Sequence, residues 1–338
     1  MARKGGWRRE GSRGRFRYLD ARGNRITDEE KLERIRNLVI PPAWKDVWIS
    51  PSPKAKLQAT GLDAAGRRQY LYHGDFRAQQ EQAKFDRLIR FAERLPELRA
   101  AMAEHMDNDA LDRNRVSAIA TRLINHGWFR VGSERYVTES RTFGITTLRK
   151  GHVRVRGQRI TFHFRTKHRA VVRTTLVDAE LAEAINDLLA LRGGPRLFRY
   201  EWEGSLYNLT GARLNEYVHD YLGAEFTAKD FRTWGGTLIA AIAFAERGIA
   251  ETEPEAKRAI AAVMRRVGEE LGNTPAVARS SYVSPAVIDQ YLDGRTIEDF
   301  RPRHLRVVGA RDTGLDKEEQ ALLSLLRSWR IRQSRAAA

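Results

Sequence analysis

The stretch from Leu271 to Pro285, Leu-Gly-Asn-Thr-Pro-Ala-Val-Ala-Arg-Ser-Ser-Tyr-Val-Ser-Pro, sets one phenol, Tyr282, beside Arg279, Ser280 and Ser281. Ahead of it Ile260, Val263, Met264, Val267 and Leu271 recur at helical spacing. Gly272 stands where a left-handed helix cap is wanted, and Thr274-Pro275 and Ser284-Pro285 each read as an N-cap followed by proline at the first helical position. Tyr282 therefore lies at the edge of a tightly punctuated helical segment. A phenol held there could carry chemistry, although residue type alone favours packing with a hydrogen-bonded tip. Tyr291 is the contrast: it follows Val287 by four residues on the next helix and reads as core.

Three cations elsewhere stand in similarly defined places. Arg130 is fixed between two helical stretches by Phe129 and Val131, so its guanidinium is either aimed at something specific or simply on the surface. Arg232, within Phe231-Arg-Thr-Trp-Gly-Gly236, lies near the N-terminal end of a helix that carries Leu238 and Ile242. Lys167 belongs to Thr166-Lys-His-Arg169, read as the turn of a hairpin, where a solvated charge is the default. Near the N-terminus Arg67, Gln69, Tyr70 and Tyr72 share one strand. Alternation puts Gln69 and Leu71 on one face and Arg68, Tyr70 and Tyr72 on the other. Such a face can lie in a DNA groove, with an amide reading a base edge; an ordinary half-buried edge strand has the same pattern.

The chain behind these residues has 338 positions, 42% of them hydrophobic, enough for two packed domains. Sixty Lys+Arg against 43 Asp+Glu leave a formal charge of +17, which points to an anionic partner and first of all to nucleic acid. No apolar run approaches the roughly 18 residues of a membrane span. No secretory leader is read, because Met1 to Arg17 holds seven Lys/Arg and no apolar core. Zero cysteines exclude disulfides and thiolate metal sites. The eight histidines show no HExxH pairing, and no GxxxxGK[ST] loop is present.

Periodicity then divides the chain. Residues 1–15, with Arg3, Lys4, Arg8, Arg9 and Arg13, read as a flexible basic arm. Residues 16–80 form a small β-rich domain: a strand at Phe16–Asp20, a helix boxed by Thr27 and Glu30, and strands at Val47–Ile49, Leu57–Thr60 and Arg67–His73. From Arg77 the period changes to that of a helix, interrupted at Pro96. Residues 81–338 form a larger, mainly helical domain with a β-meander over 146–176, in which Ile160, Phe162 and Phe164 alternate with polar neighbours. Everything after the meander reads as helix. The fold class is α+β.

Taken together, these segments resemble the type IB DNA topoisomerases, specifically their small bacterial and poxvirus branch. The stretches that carry the resemblance are Ile40-Pro-Pro-Ala-Trp44, Gln58-Ala-Thr-Gly-Leu-Asp63, Arg68-Gln-Tyr-Leu-Tyr72, Phe129-Arg-Val-Gly-Ser-Glu134, Lys167, Lys229-Asp-Phe-Arg-Thr-Trp234 and Ser281-Tyr282. The resemblance implies that Tyr282 is a nucleophile attacking a backbone phosphate, Arg130 and Arg232 its phosphate clamps, Lys167 the general acid and Lys229 a support for proton transfer. The family's Gly-His-Thr is here Gly272-Asn273-Thr274. Asn273 can donate to a phosphate oxygen but cannot carry charge or shuttle a proton. Also implied are DNA contacts from Arg67, Gln69, Tyr70 and Tyr72, a clamp of two domains around duplex DNA, and a monomer with no cofactor, metal or obligatory protein partner. A cytoplasmic, nucleoid-associated location follows from the same likeness.

Each role has a physical reason. Tyrosine must lose a proton held at a reference pKa of about 10. Charge growing on a pentacoordinate phosphorus needs fixed donors, which paired guanidiniums supply without a metal. The leaving 5′ oxygen needs an acid, worth on the order of 10²–10⁴ in rate. Retention of the phosphodiester energy in a 3′-phosphotyrosyl bond removes the need for ATP. Two alternatives stand beside this: a tyrosine recombinase, disfavoured by the β-rich N-terminal domain and the missing His-x-x-Arg block, and a non-catalytic basic DNA-packaging protein.

Overall fold

The computed structural model describes residues 5–12, 15–167, 170–301 and 314–336, so His168 and Arg169 of the expected hairpin turn lie outside the described residues. The chain separates into two units, Met1–Lys84 and Phe85–Ala338, dividing inside a long helix. The class is α+β, with strands concentrated in the first unit and helices in the second.

The first unit is an antiparallel sheet of β1 (Trp7–Glu10), β2 (Arg17–Leu19), β3 (Lys45–Ile49), β4 (Leu57–Leu62) and β5 (Arg68–Tyr72), in the order β2-β1-β3-β4-β5. Helix α1 (Glu29–Asn37) follows β2. Its cap is Asp28, whose carboxylate accepts the Lys31 amide, so the helix starts one residue later than a Thr27 box predicts. Trp7, Ile26, Ile35, Val47, Ile49 and Ala59 form the core.

The flexible arm expected over residues 1–15 is corrected at Trp7–Glu10, which form a strand, while Arg3, Lys4 and Arg13 lie outside the described residues. Trp7 is buried, and its strand pairs with β2 through Arg8↔Leu19 and with β3 through Trp7↔Ile49. Arg9, counted as loose charge, instead donates to the carbonyls of Pro41 at 3.1 Å and Trp44 at 2.6 Å. Counting charge misses a strand whose cationic side chains project from a paired backbone, one of them onto the Ile40–Trp44 loop.

The second unit takes up most of α2 (Gly74–Met106), which runs through Pro96 rather than breaking there. A proline inside a helix costs about 3 kcal/mol, and the burial of Phe91, Ala92, Leu95 and Leu98 around it offsets that cost. Helices α3 (Arg113–Gly127) and α4 (Glu134–Ser140) lead to the meander of β6 (Val153–Arg156), β7 (Arg159–Arg165) and β8 (Val171–Val177), in the order β6-β7-β8. Along β7 burial alternates strictly, with Ile160, Phe162 and Phe164 inward. Thr146 and Thr147, expected to begin the meander, belong instead to a 3-10 turn, Ile145–Thr147.

Helix α5 (Ala179–Ala190) follows, then a hairpin of β9 (Arg199–Trp202) and β10 (Ser205–Asn208) that the all-helical expectation for this part omits. Trp202 and Leu206 are exposed there, so no inward apolar run announces the pair. The remaining helices are α6 (Gly211–Leu222), α7 (Asp230–Arg247), α8 (Glu253–Leu271), α9 (Pro275–Ser281), α10 (Pro285–Leu292) and α11 (Lys317–Ala336). Helix α7 is buried along almost its whole length, which makes it the axis of the unit. No described helix is long and apolar enough to cross a membrane.

Candidate active site

The site begins where α3 ends. Trp128 adopts a left-handed conformation, φ 48°, and its amide closes the helix onto Ile124 O. The reversal sends Phe129 inward onto Phe162, with ring centres 5.0 Å apart. Arg130, next along an extended segment, turns away from that core. The segment is pinned by Ile145 N–H to Arg130 O and Thr146 N–H to Val131 O, both 2.8 Å.

Arg130 Nη2 donates to Gly272 O at 2.7 Å and to Asn273 Oδ1 at 2.8 Å. Arg232 occupies the first turn of α7 and is only 5% exposed. Its Nη2 donates to Leu271 O at 2.7 Å and its Nη1 to Trp128 O. Both guanidiniums are therefore held by main-chain carbonyls at helix C-termini, groups that lack intrahelical donors. Asn273 extends the same lattice: its amide nitrogen donates to Leu271 O at 3.3 Å and its backbone N–H to Gly268 O at 2.7 Å.

Tyr282 caps the short helix α9, and its ring lies 5.0 Å from the Arg232 guanidinium carbon. Thr237 Oγ1, one turn beyond Arg232 on α7, donates to Tyr282 O at 3.1 Å. Gly236 makes this approach possible, because a Cβ there would stand 2.8 Å from Tyr282 O and 2.9 Å from Tyr282 Cβ. The structure thus brings together Arg130, Arg232, and Asn273 with Tyr282, from three separated stretches.

Electrostatically the centre is short of negative charge. Burial, then the neighbouring Arg232, lowers the Arg130 guanidinium to about 10, with Tyr282 opposing the shift. Burial also lowers Arg232, again opposed by Tyr282. A cleft of about 160 Å³ opens beside both arginines, with Thr166, Arg173 and Gly272 in its walls. Glu269 and Glu270 line it too, but neither pairs with the two guanidiniums, and Glu270 is bonded to Arg266. Fixed cations beside a phenol, in a cleft this small, can hold an oxyanion against that phenol.

The two lysines stand differently. Lys167 is exposed just beyond β7, next to Thr166, whose amide bonds to Ala170 O at 2.8 Å to close the hairpin. Lys229 is exposed immediately before α7. Neither ammonium forms a hydrogen bond or ion pair with a described residue. In the first unit, Arg67 pairs with Asp63 at 2.8 Å and Gln69 Nε2 donates to the same carboxylate at 2.9 Å. Tyr70 and Tyr72 are exposed and stacked, with centres 6.2 Å apart. Among the described residues no three His, Asp or Glu side chains gather as a metal-binding group.

Sequence reasoning missed the groups that hold the arginines: the carbonyls of Trp128, Leu271 and Gly272, and the space left by Gly236. Main-chain oxygens carry no residue signature. The only visible trace was the Gly235-Gly236 pair in a helix interior, where glycine costs about 1 kcal/mol relative to alanine and so calls for a packing reason.

A β-rich unit is followed by a helical unit that gathers two carbonyl-held arginines beside a tyrosine, and comparison with known proteins specifies the class. Residues 73–299 match the family model of the eukaryotic DNA topoisomerase I catalytic core, and residues 15–63 that of the bacterial DNA topoisomerase IB N-terminal domain. The chain is 31% identical over 291 residues to DNA topoisomerase 1B of Acanthamoeba polyphaga mimivirus, covering 84% of this chain and 86% of the viral protein. It is 22% identical to DNA topoisomerase 1B of vaccinia virus (strain Copenhagen) over 79% of this chain and 83% of that one. With DNA topoisomerase 1 of rabbit fibroma virus (strain Kasza) the identity is 24%, over 80% and 84%. The chain belongs to the type IB DNA topoisomerase family, enzymes that relax DNA topology.

Proposed function

We propose that this enzyme relaxes supercoiled DNA by cutting one strand through a 3′-phosphotyrosyl intermediate, letting the duplex rotate, and rejoining the strand, with neither ATP nor a metal ion. Tyr282 Oη attacks the phosphorus and gives its proton to solvent, with Lys229 supporting that transfer. The P–O5′ bond breaks and the 5′ oxygen leaves as a hydroxyl, protonated by Lys167. Arg130 and Arg232 meet the charge that builds on the non-bridging oxygens. Rejoining is the reverse displacement, in which the 5′ hydroxyl attacks and the phenol leaves. The phosphodiester bond energy is conserved throughout.

The observation that carries this reading is the pair of guanidiniums, Arg232 buried and Arg130 half-buried, held on the carbonyls of Leu271 and Gly272 at the end of α8, with the Tyr282 ring 5.0 Å from Arg232. Donors already aimed before the reaction are worth most in a transition state, because no reorganisation is needed when charge develops. In the first unit, the exposed Tyr70 and Tyr72 with Arg67 and Gln69 form the DNA-contacting strand.

The test is plasmid relaxation in EDTA without ATP, followed by peptide mapping of the adduct trapped by denaturant. Relaxation with a nucleotide on Tyr282 is expected, and Tyr282→Phe should bind DNA and relax none. An adduct on another residue, or a fully active Tyr282→Phe, would falsify the assignment. Lys167→Ala should cleave slowly and recover on a 5′-bridging phosphorothiolate, whose leaving group needs no acid. Absence of that rescue removes Lys167 from the acid role.

A further inference from the structure

The hairpin of β9 and β10 has no part in the cleft around Tyr282, and its outer edge is open. The two strands form a sheet of their own. Two residues join them, Glu203 and Gly204, so ladder bonds fall between Trp202 and Ser205 and again between Tyr200 and Tyr207. Leu209 N–H to Phe198 O, at 3.0 Å, continues that alternation. Leu206 and Asn208, which fall between, therefore turn their N–H and C=O groups away from β9. No described backbone group meets them. The opposite edge is tied down: Glu201 N–H donates to Leu111 O at 2.9 Å.

An open edge is a template for another strand, and proteins blunt such edges with charge or proline. The outer strands of the two larger described sheets follow that rule. Arg17 stands on β2, Arg68 on β5, Arg154 and Arg156 on β6, and Arg173 on β8. Strand β10, Ser-Leu-Tyr-Asn, carries neither charge nor proline, and all four of its residues are exposed. Trp202 is 58% exposed beside it, and the exposed Tyr207 ring stacks on Tyr200, centres 5.9 Å apart.

The charge that is present has the wrong sign for DNA. Glu201 and Glu203 are exposed and form no ion pair with a described residue, on a chain whose formal charge is +17. Glu203 sits at φ 49° and Gly204 at φ 73°. Asn-Gly or Asp-Gly fills such a turn with less strain, so glutamate is kept at the tip against backbone preference.

We propose that β10 is a docking edge for a basic, extended segment of another protein, which adds a third strand beside Leu206 and Asn208. Main-chain bonds to the open edge supply affinity, and alternate side chains of the segment lie against Tyr207 on one face and Leu206 on the other. Lysines or arginines in it meet the field of Glu201 and Glu203. A second copy of this chain would bring its own two glutamates against these, and duplex DNA is repelled by them.

The probe is the acetylated and amidated hexapeptide Lys-Val-Lys-Val-Lys-Val, titrated calorimetrically into the whole protein without DNA. Binding should saturate and weaken with salt. The same peptide with glycine for valine, equal in charge but a poor strand former, should bind about tenfold more weakly or worse. Leu206→Pro removes one outward N–H and no ladder bond. Leu206→Lys leaves the backbone whole and adds a charge that blunts the edge, so it reports even where proline loosens the hairpin. Each should weaken the valine peptide about tenfold or more. Glu201→Gln/Glu203→Gln should weaken it and flatten its salt dependence. Duplex affinity and cleavage should be unchanged in Leu206→Pro. No saturable binding, equal binding of the glycine peptide, or indifference to both Leu206 variants overturns the proposal. So does a salt dependence that the double glutamate variant leaves intact. A dimer in sedimentation that Leu206→Pro abolishes would give the edge to a second copy, and a drop in duplex affinity in that variant would give it to DNA; either result overturns the proposal.

Discussion

Replacing Gly236 by alanine tests whether the geometry around Tyr282 matters to the reaction. The new Cβ would lie 2.8 Å from Tyr282 O, 2.9 Å from Tyr282 Cβ and 3.0 Å from Leu271 Cδ1. Ordinary carbon contacts are about 3.5–4.0 Å, so Tyr282 must retreat by roughly 0.6–1.1 Å. Thr237, which holds the tyrosine carbonyl, and Leu271, whose carbonyl holds Arg232, resist that movement. Overpacking costs about 1–3 kcal/mol, but alanine recovers about 1 kcal/mol of helix propensity over glycine. The fold should therefore lose about 2 kcal/mol at most. A misplacement of about 1 Å at a reacting group costs on the order of 10²-fold, or about 2.7 kcal/mol of barrier. Gly236→Ala should thus melt within a few degrees of wild type and bind duplex normally, yet cleave about a hundredfold more slowly in a single-turnover assay. A folded variant cleaving within threefold of wild type would refute the link between α7 and the nucleophile.

Three further outcomes are expected. Arg232→Lys cannot span Trp128 O and Leu271 O with one compact ammonium, so cleavage should fall by about 10²–10³ with little change in DNA affinity; equal rates would remove the need for a forked cation. Asn273→Asp puts a carboxylate against Arg130 and should cleave more slowly than Asn273→Ala, which only frees that arginine. The reverse order of single-turnover rates counts against a positioning role for the Asn273 oxygen. Glu319 lies on α11, bonded to Arg99 at 2.7 Å and to Trp234 Nε1 at 3.1 Å. Burial pushes its carboxyl up, but bonds from Arg99, Trp234 and the Asp316 backbone together hold it below the ordinary value. Its contribution is then present at neutral pH and fades as pH drops below about 4. Glu319→Gln should cost about 3–5 kcal/mol at pH 7, and denaturant melts should show the gap to wild type narrowing near pH 3. A gap unchanged with pH would contradict a charged Glu319.

Much of this was readable in the chain because patterns and caps are local. Gly272, Thr274-Pro275 and Ser284-Pro285 place Tyr282 at a helix edge, and the structure finds it capping α9 between those signals. The alternation of Ile160, Phe162 and Phe164 gave β7 its inward face. What escaped was set by tertiary environment. Pro96 looks like a breaker until Leu95 and Leu98 are seen to be fully buried. Trp7 and Arg9 look like a basic arm until their backbone is paired. Strand β9 buries Arg199 and Tyr200 in succession and β10 is exposed throughout, so neither alternates. In the site, the sequence names side chains that could bear charge, but the arginines are held by oxygens of Trp128, Leu271 and Gly272 that any residue would provide.

That choice of holder has a consequence for catalysis. A carboxylate partner would fix a guanidinium equally well, as Glu319 fixes Arg99, but would cancel its charge toward any ligand. Carbonyls at helix C-termini orient a cation, and stabilise it by about 0.3–2 kcal/mol, while leaving its full charge facing outward. Arg130 and Arg232 are consequently both fixed and unneutralised, at the cost of burial and of a mutual repulsion that together lower Arg130. A ground-state phosphodiester, with one negative charge, relieves part of that repulsion. The pentacoordinate state carries more charge on the same oxygens and relieves more. Interactions that strengthen on going to the transition state speed the reaction, whereas those equal in both states only tighten binding. Neutralising either arginine in place should therefore reduce cleavage of bound DNA far more than it reduces affinity.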